Sequence, residues 1–141
     1  MSENTIHLDI DGLTGDEVDA AKAAAAALGA ELEELSVTQN AEDFFQNAPV
    51  VITVLTPFLK VAAQAAAPKL AAFLKRALGR RAPRTIHLTD HDLYLEWTEA
   101  TEKHTAEAIE AIRTLDTAPF APGSVLYFDV PTSQWRPRST S

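Results

Sequence analysis

The chain has no cysteine. That excludes disulfide frameworks, thiolate metal sites and a cysteine nucleophile, and it permits a reducing compartment. Glycine is scarce, five in 141 residues, and none stands in a Walker A loop or a Gly-x-Gly-x-x-Gly pattern, so a phosphate-cradling backbone turn is not encoded. Long apolar runs are missing too. Residues 48–59 are uncharged, but Lys60 and Lys69 break up the apolar sequence beyond them, well short of the roughly 20 apolar residues a membrane-spanning helix needs. Acidic residues are absent from one long stretch: between Phe44 and Thr89 there is no Asp or Glu, while Lys60, Lys69, Lys75, Arg76, Arg80, Arg81 and Arg84 lie there. With 7 of the 12 basic and none of the 20 acidic residues, the segment carries +7, and the other 5 basic and 20 acidic residues leave −15 elsewhere.

A composition of 46% hydrophobic and 23% charged residues suits a globular chain able to bury one core without staples. The expected organisation is a single domain over 1–131, followed by a disordered tail over 132–141 rich in Ser, Pro and Arg around Trp135. The first four residues lead straight into a strand pattern, with neither a basic region nor an apolar signal core, so the expected compartment is cytoplasmic. A net charge of −8 and a pI near 4.9 argue against duplex nucleic acid as a partner, because such binding rests on neutralised phosphates.

Ile6, Leu8 and Ile10 alternate with polar residues, which predicts a strand. Thr14 and Glu17 have the spacing of a capping box, and an alanine-rich helix follows to Leu28, with Gly29 as its stop. Residues 30–38 read as a strand in which the Glu33-Glu34 pair breaks alternation and suggests a bulge. Residues 40–47 read as a loop or short helical turn carrying Phe44 and Phe45. The β-branched run Val50, Val51, Ile52, Thr53, Val54, Leu55 suits a buried strand or a helix start, and both readings stand.

Residues 57–78 predict an amphipathic helix with Leu59, Ala62, Ala66, Leu70, Phe73 and Ala77 on one arc, bent at Pro68. Residues 85–89 and 93–98 read as a hairpin turning at Asp90, His91 and Asp92; residues 101–115 as a helix; and residues 125–130 as a last strand.

Chemistry-bearing groups are few. His7, His87 and His91, near Asp9, Asp90 and Asp92, are the residues with metal-ligand character, and Thr-Ile-His-Leu occurs twice, at 5–8 and 85–88. If those two strands were neighbours, His7 and His87 would share a face, yet the spacing matches no zinc motif. No serine stands in a Gly-x-Ser-x-Gly elbow or a Ser-x-x-Lys pattern. No enzyme activity and no cofactor are therefore expected. The basic residues Lys75, Arg76, Arg80, Arg81 and Arg84 are the candidate interaction patch. A basic amphipathic helix with Phe58, Phe73 and Leu74 also suits a membrane surface, although a helix between strands normally covers their sheet.

The apolar run 50–55, the segment Ala-Ala-Phe-Leu-Lys-Arg-Ala-Leu-Gly-Arg-Arg at 71–81 and the hairpin after it resemble the effector-associated constant component domains of bacterial conflict systems. The resemblance implies a small non-enzymatic adaptor or sensor acting beside effector proteins. The expected fold is α+β, a mixed or antiparallel sheet of about five strands with three helices mainly on one face. The expected partner is a protein, or a second copy through the Ala-rich amphipathic helix at 57–81. An acidic immunity or inhibitor protein that neutralises a basic partner is the alternative, its field supplied by Asp9, Asp11, Asp16, Glu31, Glu33 and Glu34.

Overall fold

The first strand, β1 (Thr5–Asp9), leads into helix α1 (Gly15–Ala27), and the parallel strand β2 (Glu31–Leu35) comes next. This opening unit belongs to a computed structural model that describes residues 5–9, 14–35, 50–78 and 84–138. The expected features at Ile10, Asp11, 36–38, 40–47, Arg80 and Arg81 lie outside the described residues. The α1 capping box forms as its spacing predicts: Glu17 N donates to Thr14 Oγ1 at 3.1 Å, and Thr14 N to Glu17 Oε1 at 2.9 Å. Gly29 takes φ +77 beyond the helix end, a conformation favourable to glycine.

The unit then repeats. β3 (Val50–Val54) connects through α2 (Thr56–Ala65) and α3 (Ala67–Ala77) to the parallel strand β4 (Arg84–Leu88). β5 (Leu93–Trp97) connects through α4 (Glu99–Lys103) and α5 (Thr105–Arg113) to the parallel strand β6 (Val125–Asp129), and β7 (Gln134–Pro137) closes antiparallel. The α+β fold is as expected, but the mixed sheet has seven strands rather than about five, in the order β2-β1-β3-β4-β5-β6-β7. α1 packs on α3, and α5 packs on both α2 and α3, so the helices form one layer on one face. The β1→β2 and β5→β6 crossovers start from co-directional strands, step to opposite sides and share that layer. They therefore have opposite hands, a departure from the usual right-handed preference.

Several expectations need correction. The run at 50–54 is a strand, and Leu55 leads directly into α2. The helix expected over 57–78 is two helices: Ala66, at φ −145 and ψ 43, separates them. Pro68 lacks an N–H and would crowd the carbonyl of Gln64 in a continuous helix; placed in the first turn of α3, it needs no donor. The helix expected over 101–115 likewise breaks at His104, and it begins at Glu99 because Thr98 and Thr101 cap it reciprocally. No bulge occurs at Glu33-Glu34, since β1 and β2 run in unbroken register from Thr5↔Glu31 to Asp9↔Leu35. Glu34 falls on the helix-facing side and pairs with Lys22 of α1. The irregular step lies instead in β3, between Val50 and Ile52.

The tail is the largest correction. Gln134–Pro137 is a strand, not a disordered segment. Trp135 is 5% exposed, sits opposite Phe128 and donates from Nε1 to the Ala108 carbonyl at 3.2 Å.

The core lies between sheet and helices. Ile6, Leu8, Ile52, Val54, Ile86, Leu88, Leu95, Trp97 and Phe128 face Ala21, Ala25, Leu59, Leu70, Phe73, Leu74, Ala108 and Ile112. Leu59, Leu70 and Phe73 are at most 4% exposed, so the apolar arc of the middle segment is scaffold. Leu74 is buried as well, and Phe58 packs against the same core. No helix among the described residues is long and apolar enough to cross a membrane.

Candidate functional site

α3 turns its apolar residues inward and its charges out. Lys69, Lys75 and Arg76 are exposed, and none of them forms an ion pair among the described residues. The neighbouring α1 presents alanines, so the two helices leave a groove of about 310 Å³ floored by Ala20, Ala23, Ala24, Ala27 and Ala72 and flanked by Lys69 and Arg76. A second hollow beside it is lined by Glu17, Ala20, Lys75 and Arg76. The proposed basic patch is thus divided. Lys75 and Arg76 stand together on this outer side; Arg84 opens β4 opposite Trp97, half-buried, with its Nε enclosed and without a partner; Arg80 and Arg81 lie outside the described residues. Sequence reading missed Lys69 as a member of the strip. Its exposure is legible in the helical period, which puts it three residues before Ala72 and seven before Arg76, both exposed. Lys60 is no part of it, since its Nζ donates to the Leu115 carbonyl at 2.7 Å at the end of α5.

The other face of the sheet carries no helix among the described residues and is polar. Register sets one row across five strands: Glu33, His7, Thr53, His87, Tyr94. The two Thr-Ile-His-Leu strands flank β3, and their histidines do share a face. They stand two strand spacings apart, roughly 10 Å, too far for one ion with zinc–nitrogen bonds of about 2 Å. No group of three or more His, Asp or Glu among the described residues converges on a cation position. His7 Nδ1 is 3.4 Å from Glu33 Oε1 but misaligned, and neither ring nitrogen has a hydrogen-bond partner. His91 lies 3.5 Å from Asp90 at the turn.

His87 is the most organised of these side chains. Its Nε2 is 2.9 Å from Asp92 Oδ1, and its ring stacks on Tyr94 with centroids 4.3 Å apart. Asp92 adopts φ 50, a left-handed turn position that Asp tolerates. Burial, and then the Asp92 charge and hydrogen bond, raise the Tyr94 phenol above its ordinary value. Asp92 thus orients the His87 ring, but the grooves beside α1, α3 and α5 lie on the opposite, helix-covered side of the fold. A row further along, buried Glu96 is paired with Arg138 beyond β7.

At the hairpin turn Asp90 serves α2. Its Oδ1 accepts from Thr56 N at 2.9 Å and Thr56 Oγ1 at 2.8 Å. Burial works to raise the Asp90 carboxyl, but the two Thr56 donors outweigh it and hold the group below its ordinary value. The carboxylate thereby satisfies a helix start that has no side-chain cap of its own. No family model, curated protein or solved structure matches the chain.

Proposed function

We propose that the chain is a non-enzymatic protein-interaction or regulatory module, adaptor-like, that meets a protein partner through the outer side of α3. The observation that carries this reading is the state of Lys69, Lys75 and Arg76, which are exposed and free of ion pairs among the described residues. A basic strip in a chain of net charge −8 would ordinarily attract the chain's own carboxylates. Here it flanks an alanine-floored groove, into which a partner backbone fits closely. The fitting partner presents an acidic segment, and long-range attraction would speed its encounter. Following the sequence resemblance, the setting we propose is a cytoplasmic bacterial conflict or signalling system. The test is a pull-down with wild type and with Lys75→Glu, Arg76→Glu, Arg80→Glu and Arg81→Glu combined. Loss of a partner is the expected result; equal recovery of every partner removes the strip from the account.

A second reading is an acidic protein that neutralises a basic partner. It is favoured by the exposed Glu31 and Glu33 on the sheet's edge strand, and such binding weakens as salt rises.

A further inference from the structure

The two edges of the sheet are built differently. β7 is four residues long and ends in Pro137, which offers no N–H to a neighbour. β2 contains no proline, keeps unbroken register with β1 and has no strand on its outer side among the described residues. In a parallel pair, alternate residues of a strand turn both N–H and C=O away from the partner, so β2 presents a row of donors and acceptors that no strand among the described residues fills.

Side chains decide what can fill that row. Glu31 and Glu33 are exposed on the helix-free face, Glu33 with 59% of its side chain accessible. Leu32 between them lies on the other face, packed against the core, and Glu34 is engaged by Lys22. A second copy fits badly, because every two-fold antiparallel register near the middle of β2 opposes glutamate to glutamate, and like charges directly opposite are destabilising.

We propose that β2 accepts an extended segment of a protein partner as an eighth strand. The segment would carry Lys or Arg at positions i and i+2 beside Glu31 and Glu33, and an apolar residue between them over Leu32. The backbone row supplies affinity and the alternating side chains supply selection, the logic of β-augmentation. This adds a geometry to the acidic reading, and the two can fail separately.

The test titrates the isotope-labelled full chain with a synthetic peptide of core Lys-Val-Lys-Val-Lys, followed by amide NMR shifts and hydrogen exchange. Two controls accompany it: Glu-Val-Glu-Val-Glu, and the basic peptide N-methylated at alternate amides, which keeps its charge but loses its donors. The expected result is shifts and slowed exchange centred on 31–35, no binding of the acidic peptide, and roughly tenfold weaker binding after N-methylation or after Glu31→Lys with Glu33→Lys. Equal binding of the N-methylated peptide would overturn strand addition and leave only charge attraction. Shifts centred away from β2, or no binding of the basic peptide, would overturn the site itself. If the double reversal does not fold, Glu31→Gln with Glu33→Gln provides the same comparison.

Discussion

Truncating Trp135 to alanine tests the part of the fold that composition hides best. The side chain is 5% exposed, its ring lies 5.6 Å from Phe128 and 6.3 Å from Trp97 in tilted arrangements, and its Nε1 donates to the Ala108 carbonyl. Removing a buried aromatic of this size costs about 3–5 kcal/mol. Within that, the two ring pairs contribute about 0.5–1.5 kcal/mol each and the hydrogen bond about 1 kcal/mol. Total stability for a domain is about 5–15 kcal/mol, so the variant should lose a large share of it. At about 3–5 °C per kcal/mol for this chain length, the melting temperature should fall by roughly 10–20 °C. Trp135→Phe keeps most of the apolar burial and forfeits the N–H, so it should cost only about 1–2 kcal/mol. Urea titration followed by far-UV circular dichroism measures both. A Trp135→Ala variant within about 0.5 kcal/mol of wild type, the ordinary range for a surface substitution, would refute the packing of β7.

Asp90→Ala should cost about 1–2 kcal/mol, the worth of a helix cap, because Thr56 N and Oγ1 lose their acceptor. The folded carboxyl sits below its ordinary value, so this stabilisation is fully present above the unfolded-state value, about pH 4, and is lost as pH falls through the folded one. The difference between wild type and variant in urea midpoint should therefore shrink below about pH 4; a difference constant from pH 7 to 3 would refute the ionic cap. Arg138→Ala leaves Glu96, whose side chain is 6% exposed, without its cation. With Arg138 itself half exposed, the loss should be about 1–2 kcal/mol rather than the larger figure for a fully buried pair. Adding Glu96→Gln should recover part of it, and a double-mutant cycle in urea that showed purely additive losses would count against the pairing.

Local pattern was readable wherever a residue's neighbours in sequence are also its neighbours in space. The Ile6 and Leu8 alternation, the Thr14 and Glu17 cap and the hairpin around Asp90 are all of that kind, and all are present. β7 was not readable because it lies at the sheet edge with one buried side chain in four residues; no alternation can show in so short a run, and its Pro and Arg suggest a loop. The split at Ala66 was half legible. Pro68 marks a defect, but whether the chain bends through it or restarts the helix depends on how α2 packs against α5 and α3 against α1.

The candidate surfaces divide along the same line. That Lys75 and Arg76 would be exposed is legible in the helical period, but that α1 sets a groove of alanines beside them is a tertiary fact. Arg84 does not belong to their patch, and the strand period already points the other way, since it shares parity with Ile86 and Leu88, which are fully buried. The acid-free segment therefore reads in sequence as one basic element, while the fold distributes it. Strands β3 and β4 take its β-branched residues into the sheet, the inner sides of α2 and α3 form core, and among the described residues the outer side of α3 holds its exposed charges, Lys69, Lys75 and Arg76. Glu31 and Glu33 lie across α1 from that strip, on a strand edge. One small domain thus offers a basic helical groove and an acidic backbone edge, which under the two proposals would select occupants of opposite charge and different conformation.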